Sequence, residues 1–285
     1  MNCPVARMLD QAAARLGGHA EAKREAQILL GHALGVSRAW LAAHDATIVD
    51  PGHAARFGEL IERRRSGEPV AYLLGRREFY GLDFRVTPDV LIPRPDTEVL
   101  VDAALERLPP NGHADVLDLG TGSGCVAIAL AHARPDLRVT AVDVCAAALN
   151  VARWNASTHG VRVNFAQARW YGGLHGRRFD MIVSNPPYIA RSDPHLGQGD
   201  LRYEPAIALA SGEDGLADIR SIVRGAPVHL KQGGWLLLEH GHDQADASRD
   251  LLTDAGFAEA FLRLDLAGMP RVAGARLLTA KSPNR

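Results

Sequence analysis

Cysteine is scarce in this chain. Cys3, Cys125 and Cys145 are the only three in 285 residues, and no two form a Cys-x-x-Cys pair. Neither a disulfide framework nor a structural zinc site is expected, and a reducing cytoplasm suits the composition. The 12 histidines include no His-x-x-x-His pair, so no metal is expected either. Excess charge of one sign is also missing: 32 Lys and Arg stand against 33 Asp and Glu, a net charge of -1. A dedicated nucleic-acid binder carries a strongly basic domain, so direct specific binding to nucleic acid is not expected. No stretch reaches the roughly 18 apolar residues of a membrane span. No apolar run follows Met1-Asn2-Cys3-Pro4-Val5-Ala6-Arg7, so no signal peptide is read there. The expectation is a cytoplasmic protein, a monomer, with no membrane association.

What is present is enough apolar residue, 47%, to bury one large core or a large and a small one. Residues 1 to about 75 are alanine-rich and lack strand-like alternation. Ala26, Leu29, Leu30, Ala33 and Leu34 recur at helical spacing, with Gly35 as a stop. Asp50 and Pro51 look like the N-cap and first residue of another helix, carrying Phe57, Leu60 and Ile61 and ending near Ser66-Gly67. This first region, 1–75, reads as a small helical bundle. The run Arg63-Arg64-Arg65 reads as a solvated helix end. Residues 76–92 place Phe79, Tyr80, Leu82, Phe84 and Val86 around Gly81, the pattern of a β-hairpin connector. In Leu91 to Glu98, two prolines spaced by one residue disfavour helix, and Asp96 or Thr97 is placed to cap the helix of Val99, Leu100 and Ala103.

From 93 to 285 the chain alternates strand, turn and helix. Strands are expected at Val116–Leu119, Val139–Val142, Val161–Phe165, Phe179–Ser184 and Trp235–Glu239, with two more at the end. Helices are expected at Cys125–Ala133, Ala146–Asn155, 215–230 and near 243–255. This pattern implies an α/β domain with a largely parallel sheet between helices.

The first of these strands runs into Asp118-Leu119-Gly120-Thr121-Gly122-Ser123-Gly124, which opens a helix. Glycines there let the backbone turn tightly against a ligand, and the helix start behind them offers free N–H groups. Asp143, at the end of the second strand, is placed to accept ribose hydroxyls. The spacing Asp-x-Gly-x-Gly-x-Gly lacks the two-residue gap of a pyrophosphate site. Asp118 suits a ligand with a cationic amino-acid end, so S-adenosylmethionine is favoured over a dinucleotide.

Asn185-Pro186-Pro187-Tyr188 follows the strand Phe179–Ser184, at the strand end where ligands sit in open α/β sheets. The prolines remove two donors and stiffen the turn, leaving carbonyl oxygens exposed. Asn185 adds a side-chain acceptor and Tyr188 an aromatic face. Two acceptors, the Asn185 side chain and the Pro186 carbonyl, suit a flat –NH2 group and can aim its nitrogen at a methyl carbon. The chemistry read from this turn is methylation of a planar amide or amine nitrogen. The amino group of adenine or guanine in DNA or RNA fits it as well as an amide does.

At these residues the sequence resembles the class I S-adenosylmethionine-dependent methyltransferases. Glu68-Pro69-Val70-Ala71-Tyr72, Arg77-Glu78-Phe79-Tyr80, Leu91 to Glu98, Val183 to Ile189, Arg202-Tyr203-Glu204-Pro205 and Leu237-Leu238-Glu239-His240-Gly241 narrow the resemblance to the bacterial peptide chain release factor glutamine methyltransferases. That resemblance implies a seven-stranded Rossmann-like sheet with its last strand antiparallel. It also implies methylation of the glutamine side-chain amide in the Gly-Gly-Gln motif of class 1 release factors. Gly120 to Gly124, with Thr121 and Ser123, would cradle the methionine part of the cofactor, Asp143 the ribose, and Trp170 the adenine. Asn185, Pro186, Pro187 and Tyr188 would bind the glutamine amide, and residues 1–75 would help dock the release factor. One departure stands at Ala168-Arg169-Trp170, where the family shows an acid before the tryptophan. Arg169 cannot accept a bond from an adenine amino group, so a backbone contact or solvent is expected there. His240 and Cys125 read as packed residues, and Arg202 to Pro205 as a wall or lid over the substrate.

Overall fold

The computed structural model describes residues 3–278, and the chain divides between Arg76 and Arg77 into two units. The first unit contains β1 (Cys3–Pro4), α1 (Val5–Arg15), α2 (Ala20–Leu34), α3 (Arg38–Ala43), β2 (Ile48–Val49), α4 (Pro51–Arg65) and α5 (Val70–Leu74). α2 stops at Gly35, which takes the left-handed conformation (φ 69°) while the Val36 N–H bonds back to the Gly31 carbonyl. α4 starts where the Asp50 carboxylate accepts from the Gly52 and His53 amides at 3.0 and 3.1 Å, with Pro51 in the first turn. The helices close over Leu29, Leu30, Leu41, Phe57 and Ile61. Sequence patterning missed β1 and β2, which pair antiparallel. A two-residue strand is too short for alternation to register. Arg63, Arg64 and Arg65 are ion-paired to Glu68, Glu25 and Glu62, a helix end tied down by its own carboxylates.

The second unit opens with the hairpin of β3 (Arg76–Phe79) and β4 (Leu82–Arg85). Tyr80 (φ 52°) and Gly81 (φ 76°) both turn left-handed between them, as a two-residue hairpin requires. Phe79 and Phe84 meet edge to face at 6.0 Å and are buried against the main core, so the hairpin belongs to this unit. A 3-10 turn over Pro95–Thr97 then leads into α6 (Glu98–Arg107). Pro95 fits because a first-turn N–H has no helical partner to lose. The Thr97 side chain makes no capping bond, contrary to the sequence reading.

The repeating part follows as β5 (Asp115–Leu119), α7 (Cys125–Ala133), β6 (Arg138–Asp143), α8 (Ala146–Thr158), β7 (Val163–Gln167), β8 (Phe179–Ser184), α9 (Ala217–His229), β9 (Leu230–Glu239), α10 (Ala245–Asp254), β10 (Ala258–Leu264) and β11 (Pro270–Arg276). Their spatial order is β10-β11-β9-β8-β5-β6-β7. β5 runs parallel to β6 and β8, whereas β11 is antiparallel to both β9 and β10. The expected seven strands and antiparallel last strand are both present. Strand residues alternate between two cores: Val116 joins one, and Leu117 and Leu119 the other. β5 has the second strand of the repeat on one side and the fourth on the other. The strand order therefore reverses at β5, and its carboxyl end opens into a crevice.

Candidate active site

The loops after β5, β6 and β8 line one cavity of about 710 Å³. Asp118, Gly120, Thr121, Gly122, Ser123, Asp143, Trp170, Asn185 and Pro187 all contribute to its wall. Gly124, Pro186 and Tyr188 are not among its lining residues. Gly120, Gly122 and Gly124 all have positive φ. At Gly124, which starts α7, a Cβ would come within 2.8 Å of Ile128 Cδ1 and 3.1 Å of Ala152 Cβ. Only glycine lets α7 start this close to α8, and α7's first N–H groups face the cavity end of β5 as a result.

The carboxylate of Asp143 is locked from both sides. Oδ2 accepts from the Gly122 amide at 2.8 Å and Oδ1 from the Cys145 amide at 2.9 Å. Each oxygen retains a lone pair for a further donor, so the acid at the end of β6 is fixed in place and still able to accept. Asp118 is fully buried behind the glycine loop and accepts from the Thr121 hydroxyl at 2.6 Å. Burial pushes its carboxyl up to about 7, and the neighbouring Asp143 pushes the same way. Trp170 (φ 50°) brings its ring within 3.4 Å of where a Gly120 Cβ would stand, and its buried Nε1 has no partner among the described residues. Arg169 turns outward and reaches Asp218 at 3.3 Å. Asp218 itself stands in the cavity wall, so an acid from the start of α9 lies where the sequence showed only Arg169.

At the end of β8, the Ser184 hydroxyl donates to the Leu119 carbonyl at 2.7 Å and clamps the turn to β5. Asn185 donates through Nδ2 to the Thr97 hydroxyl oxygen at 3.1 Å. Its amide oxygen is thereby the group left to accept from a ligand. The Tyr188 hydroxyl does not face the cavity; it donates to Glu239 Oε1 at 3.2 Å. The Tyr188 carbonyl accepts from Gln244 Nε2 at 2.9 Å. The segment after the turn is stitched down by Ile189–Leu209 and Ser211–Ile189 backbone bonds of 2.9 and 2.8 Å. Glu204, fully buried, accepts from the Ile92 amide at 2.9 Å and pairs with Arg94. Pro205 and Ile207 then form a wall of the cavity. Cys125 also reaches the wall, but burial pushes its thiol up to about 12, so it is inert packing. His240 is buried, with Nδ1 on the Gly241 carbonyl at 2.8 Å.

Thr97, Glu204, Asp218 and Glu239 are the site residues that sequence patterning did not pick out as such. Each works through a partner at least 49 residues away, and no local spacing carries that information. Among the described residues no cluster of His, Cys, Asp or Glu is arranged to hold a metal ion. No helix of these residues is long and apolar enough to cross a membrane.

A sheet of this order, with a glycine loop after its first strand and an acid closing its second, is the architecture of a class I methyltransferase. The T. thermophilus 16S rRNA N2 methyltransferase, solved in complex with AdoMet and guanosine, matches in fold with a TM-score of 0.53 at 21% identity, over 71% of this chain and 49% of that one. Residues 7–75 match the PrmC N-terminal domain family and residues 97–198 the methyltransferase small domain family. The release factor glutamine methyltransferase of Bordetella pertussis is 54% identical over 254 residues, 89% of this chain and 94% of that protein. The protein of the same name from Burkholderia pseudomallei is 52% identical over 260 residues, 89% and 91% of the two chains. The chain belongs to the release factor glutamine methyltransferase family.

Proposed function

We propose that this protein transfers the methyl group of S-adenosylmethionine to the side-chain amide nitrogen of the glutamine in the Gly-Gly-Gln motif of class 1 peptide chain release factors. The observation that carries the reading is the orientation of Asn185. With Nδ2 committed to Thr97, its Oδ1 is an acceptor held on the wall of the same cavity as the glycine loop and Asp143.

The residues present fit the cofactor. Asp143 offers fixed acceptors for two ribose hydroxyls, Asp118 a buried acid for a cationic amino-acid end, and Trp170 a flat apolar surface for a base. Thr121 and Ser123, with the closely approaching backbone of Gly120 and Gly122, complete the cradle. When bound, the cofactor supplies an electrophilic methyl group. The protein's task is to present a poor nucleophile, because an amide lone pair is delocalised into its carbonyl. Asn185 Oδ1 and the Pro186 carbonyl accept the two amide hydrogens and turn the nitrogen toward the methyl carbon. Those same dipoles stabilise positive charge as it grows on nitrogen. Pro187 holds the turn rigid, and Tyr188 anchors its far end on Glu239. The methylated nitrogen is acidic enough to release its extra proton to solvent, so no strong base is required. The protein acts in the cytoplasm, where its substrate works, and as a monomer.

The test is radiolabelled methyl transfer to a purified release factor and to its Gly-Gly-Gln Gln→Ala variant, with DNA and RNA as further acceptors. Label is expected on the intact release factor alone. Equal labelling of the Ala variant, or label only on nucleic acid, overturns the reading.

A further inference from the structure

S-adenosylmethionine brings three sets of hydrogen-bond donors to the cavity: its ammonium group, two ribose hydroxyls and the amino group of its adenine. Asp118 and Asp143 answer the first two, and the third is left without an acceptor. Two other acids stand in the cavity wall, Asp89 and Asp218. Asp89 is exposed, and its Oδ2 already takes the Thr87 hydroxyl at 3.0 Å. Asp218, from the first turn of α9, is only 9% exposed. Its Oδ1 accepts from Arg169 Nη2 at 3.3 Å, and no other donor reaches the carboxylate among the described residues. A nearly buried carboxylate with an oxygen unfilled, on the wall of a ligand cavity, lacks a donor that a ligand can supply.

The fold fastens Asp218 close to Trp170, the ring assigned to the base. Tyr171, the next residue, donates its hydroxyl to the Ile222 carbonyl at 2.8 Å, and its ring stacks on His229 at 4.6 Å. Both partners belong to α9. At Gly225, on the same helix, a Cβ would come within 2.4 Å of the Tyr171 ring, so any side chain there would push the segment away. On its other side the Asp218 amide donates to the buried Ser211 hydroxyl at 2.8 Å. The Ser211 amide donates in turn to the Ile189 carbonyl at 2.8 Å, one residue past the Asn185–Tyr188 turn. The position of the acid is therefore set by ties to both the Trp170 segment and the turn. Arg169 has a side chain 68% exposed, so its pair with Asp218 is solvated and weak, enough to orient one oxygen without using up the other.

We propose that Asp218 accepts a hydrogen bond from the amino group of the cofactor's adenine and so reads the base, while Arg169 orients the carboxylate through its other oxygen. This rests on the reading of the cavity as the cofactor site with the base against Trp170, and adds what selects the base. A flat ring grips any purine. An acceptor fixed at the edge of the base tells an amino group from a hydrogen or a carbonyl, because the wrong ligand leaves a nearly buried carboxylate unpaired or sets a second acceptor against it. The pairing also accounts for an arginine at 169. Its charge is taken up by Asp218 instead of facing the donors of the amino group.

The experiment measures calorimetric affinity for two ligands: S-adenosylhomocysteine, and its analogue with the adenine amino group replaced by hydrogen. Both are titrated into wild type, Asp218→Ala, Asp218→Asn and Arg169→Ala. Wild type is expected to prefer S-adenosylhomocysteine by roughly 10-fold or more. Asp218→Ala should bind the two within about twofold of each other, because the amino group has lost its partner. Asp218→Asn keeps the shape and a neutral acceptor, so its preference should fall in between. Arg169→Ala should keep most of the preference, since Arg169 touches the carboxylate and not the base. Affinity for the analogue should weaken by no more than about threefold in any variant, which separates loss of one bond from damage to the cavity. Should Asp218→Ala not fold, Asp218→Asn decides. A wild type without preference overturns the proposal, as does a wild-type preference that persists in the Asp218 variants; the second result leaves the cofactor reading standing. A wild type that binds neither ligand overturns both.

Discussion

Asp118 faces a conflict of charges that its ligand can resolve. It is buried and Asp143 stands nearby, and these outweigh the Thr121 hydroxyl and the Ala127 amide, so its carboxyl is raised to about 7. A cation placed against it favours the ionised form and draws that value down. Cofactor binding below and near neutrality must then release a proton, and affinity must rise with pH until Asp118 is ionised without help. S-adenosylhomocysteine is expected to bind several-fold more weakly at pH 6 than at pH 8. Calorimetry at pH 6.5 in buffers of different ionisation enthalpy should report release of part of a proton. In Asp118→Asn the pH dependence should flatten and the affinity at pH 8 should fall. A wild-type affinity that is level from pH 6 to 8 would show that no cation docks on this acid. The residue was legible as a site residue from the pattern Asp-x-Gly-x-Gly-x-Gly, but its displaced titration was not. That follows from burial and from a second acid 25 positions along the chain, which only the parallel pairing of β5 with β6 brings close.

At the scale of elements, Glu204 joins two segments that no strand pairing connects. One is the stretch before α6, with Ile92 and Arg94; the other is the long connection between β8 and α9. The Glu204 side chain has no solvent exposure, while Arg94 is about one-third exposed at 32%. Removing the carboxylate strands the Ile92 amide and frees the loop, whereas removing Arg94 leaves a buried charge with a single backbone donor. Breaking such a pair costs about 3–5 kcal/mol when both partners are buried, and less here because Arg94 is partly solvated. Glu204→Ala is expected to lower the melting temperature by several degrees and to open residues 190–200 to limited proteolysis. It should raise KM for the release factor more than it weakens S-adenosylhomocysteine. Protease resistance equal to wild type would refute the tie. The regular elements themselves were readable in advance, because α2, α4, β5, α7, β6 and β8 each carry a clean period of burial or a glycine or aspartate boundary. Thr97 was misread for a physical reason. A threonine before a helix is the ordinary sign of a cap, and here its hydroxyl oxygen is taken by Asn185, 88 residues away. The strands β1 and β2 escaped because two residues give no period.

On the scale of the whole molecule, the cavity raises a question of specificity. About 710 Å³ holds a cofactor and one side chain. Glutamine side chains occur on nearly every protein, so a pocket that reads only the amide cannot choose a release factor. Discrimination then needs a second surface, which turns entry of the glutamine into a local event at high effective concentration. We propose that the helical unit up to Arg76, with its own core around Leu29, Leu30 and Phe57, supplies that surface. The prediction separates docking from chemistry by the size of the substrate. A chain beginning at Arg77 should retain S-adenosylhomocysteine affinity and should methylate a short Gly-Gly-Gln peptide at the same low efficiency as the full chain. Its KM for an intact release factor should rise by about 100-fold, to the level of the peptide, because the linked contact that raised effective concentration is gone. The isolated first unit, added in excess to the full chain, should compete for the release factor and raise its apparent KM without touching peptide methylation. Equal loss toward peptide and release factor would assign the first unit to supporting the catalytic core instead of reading the partner.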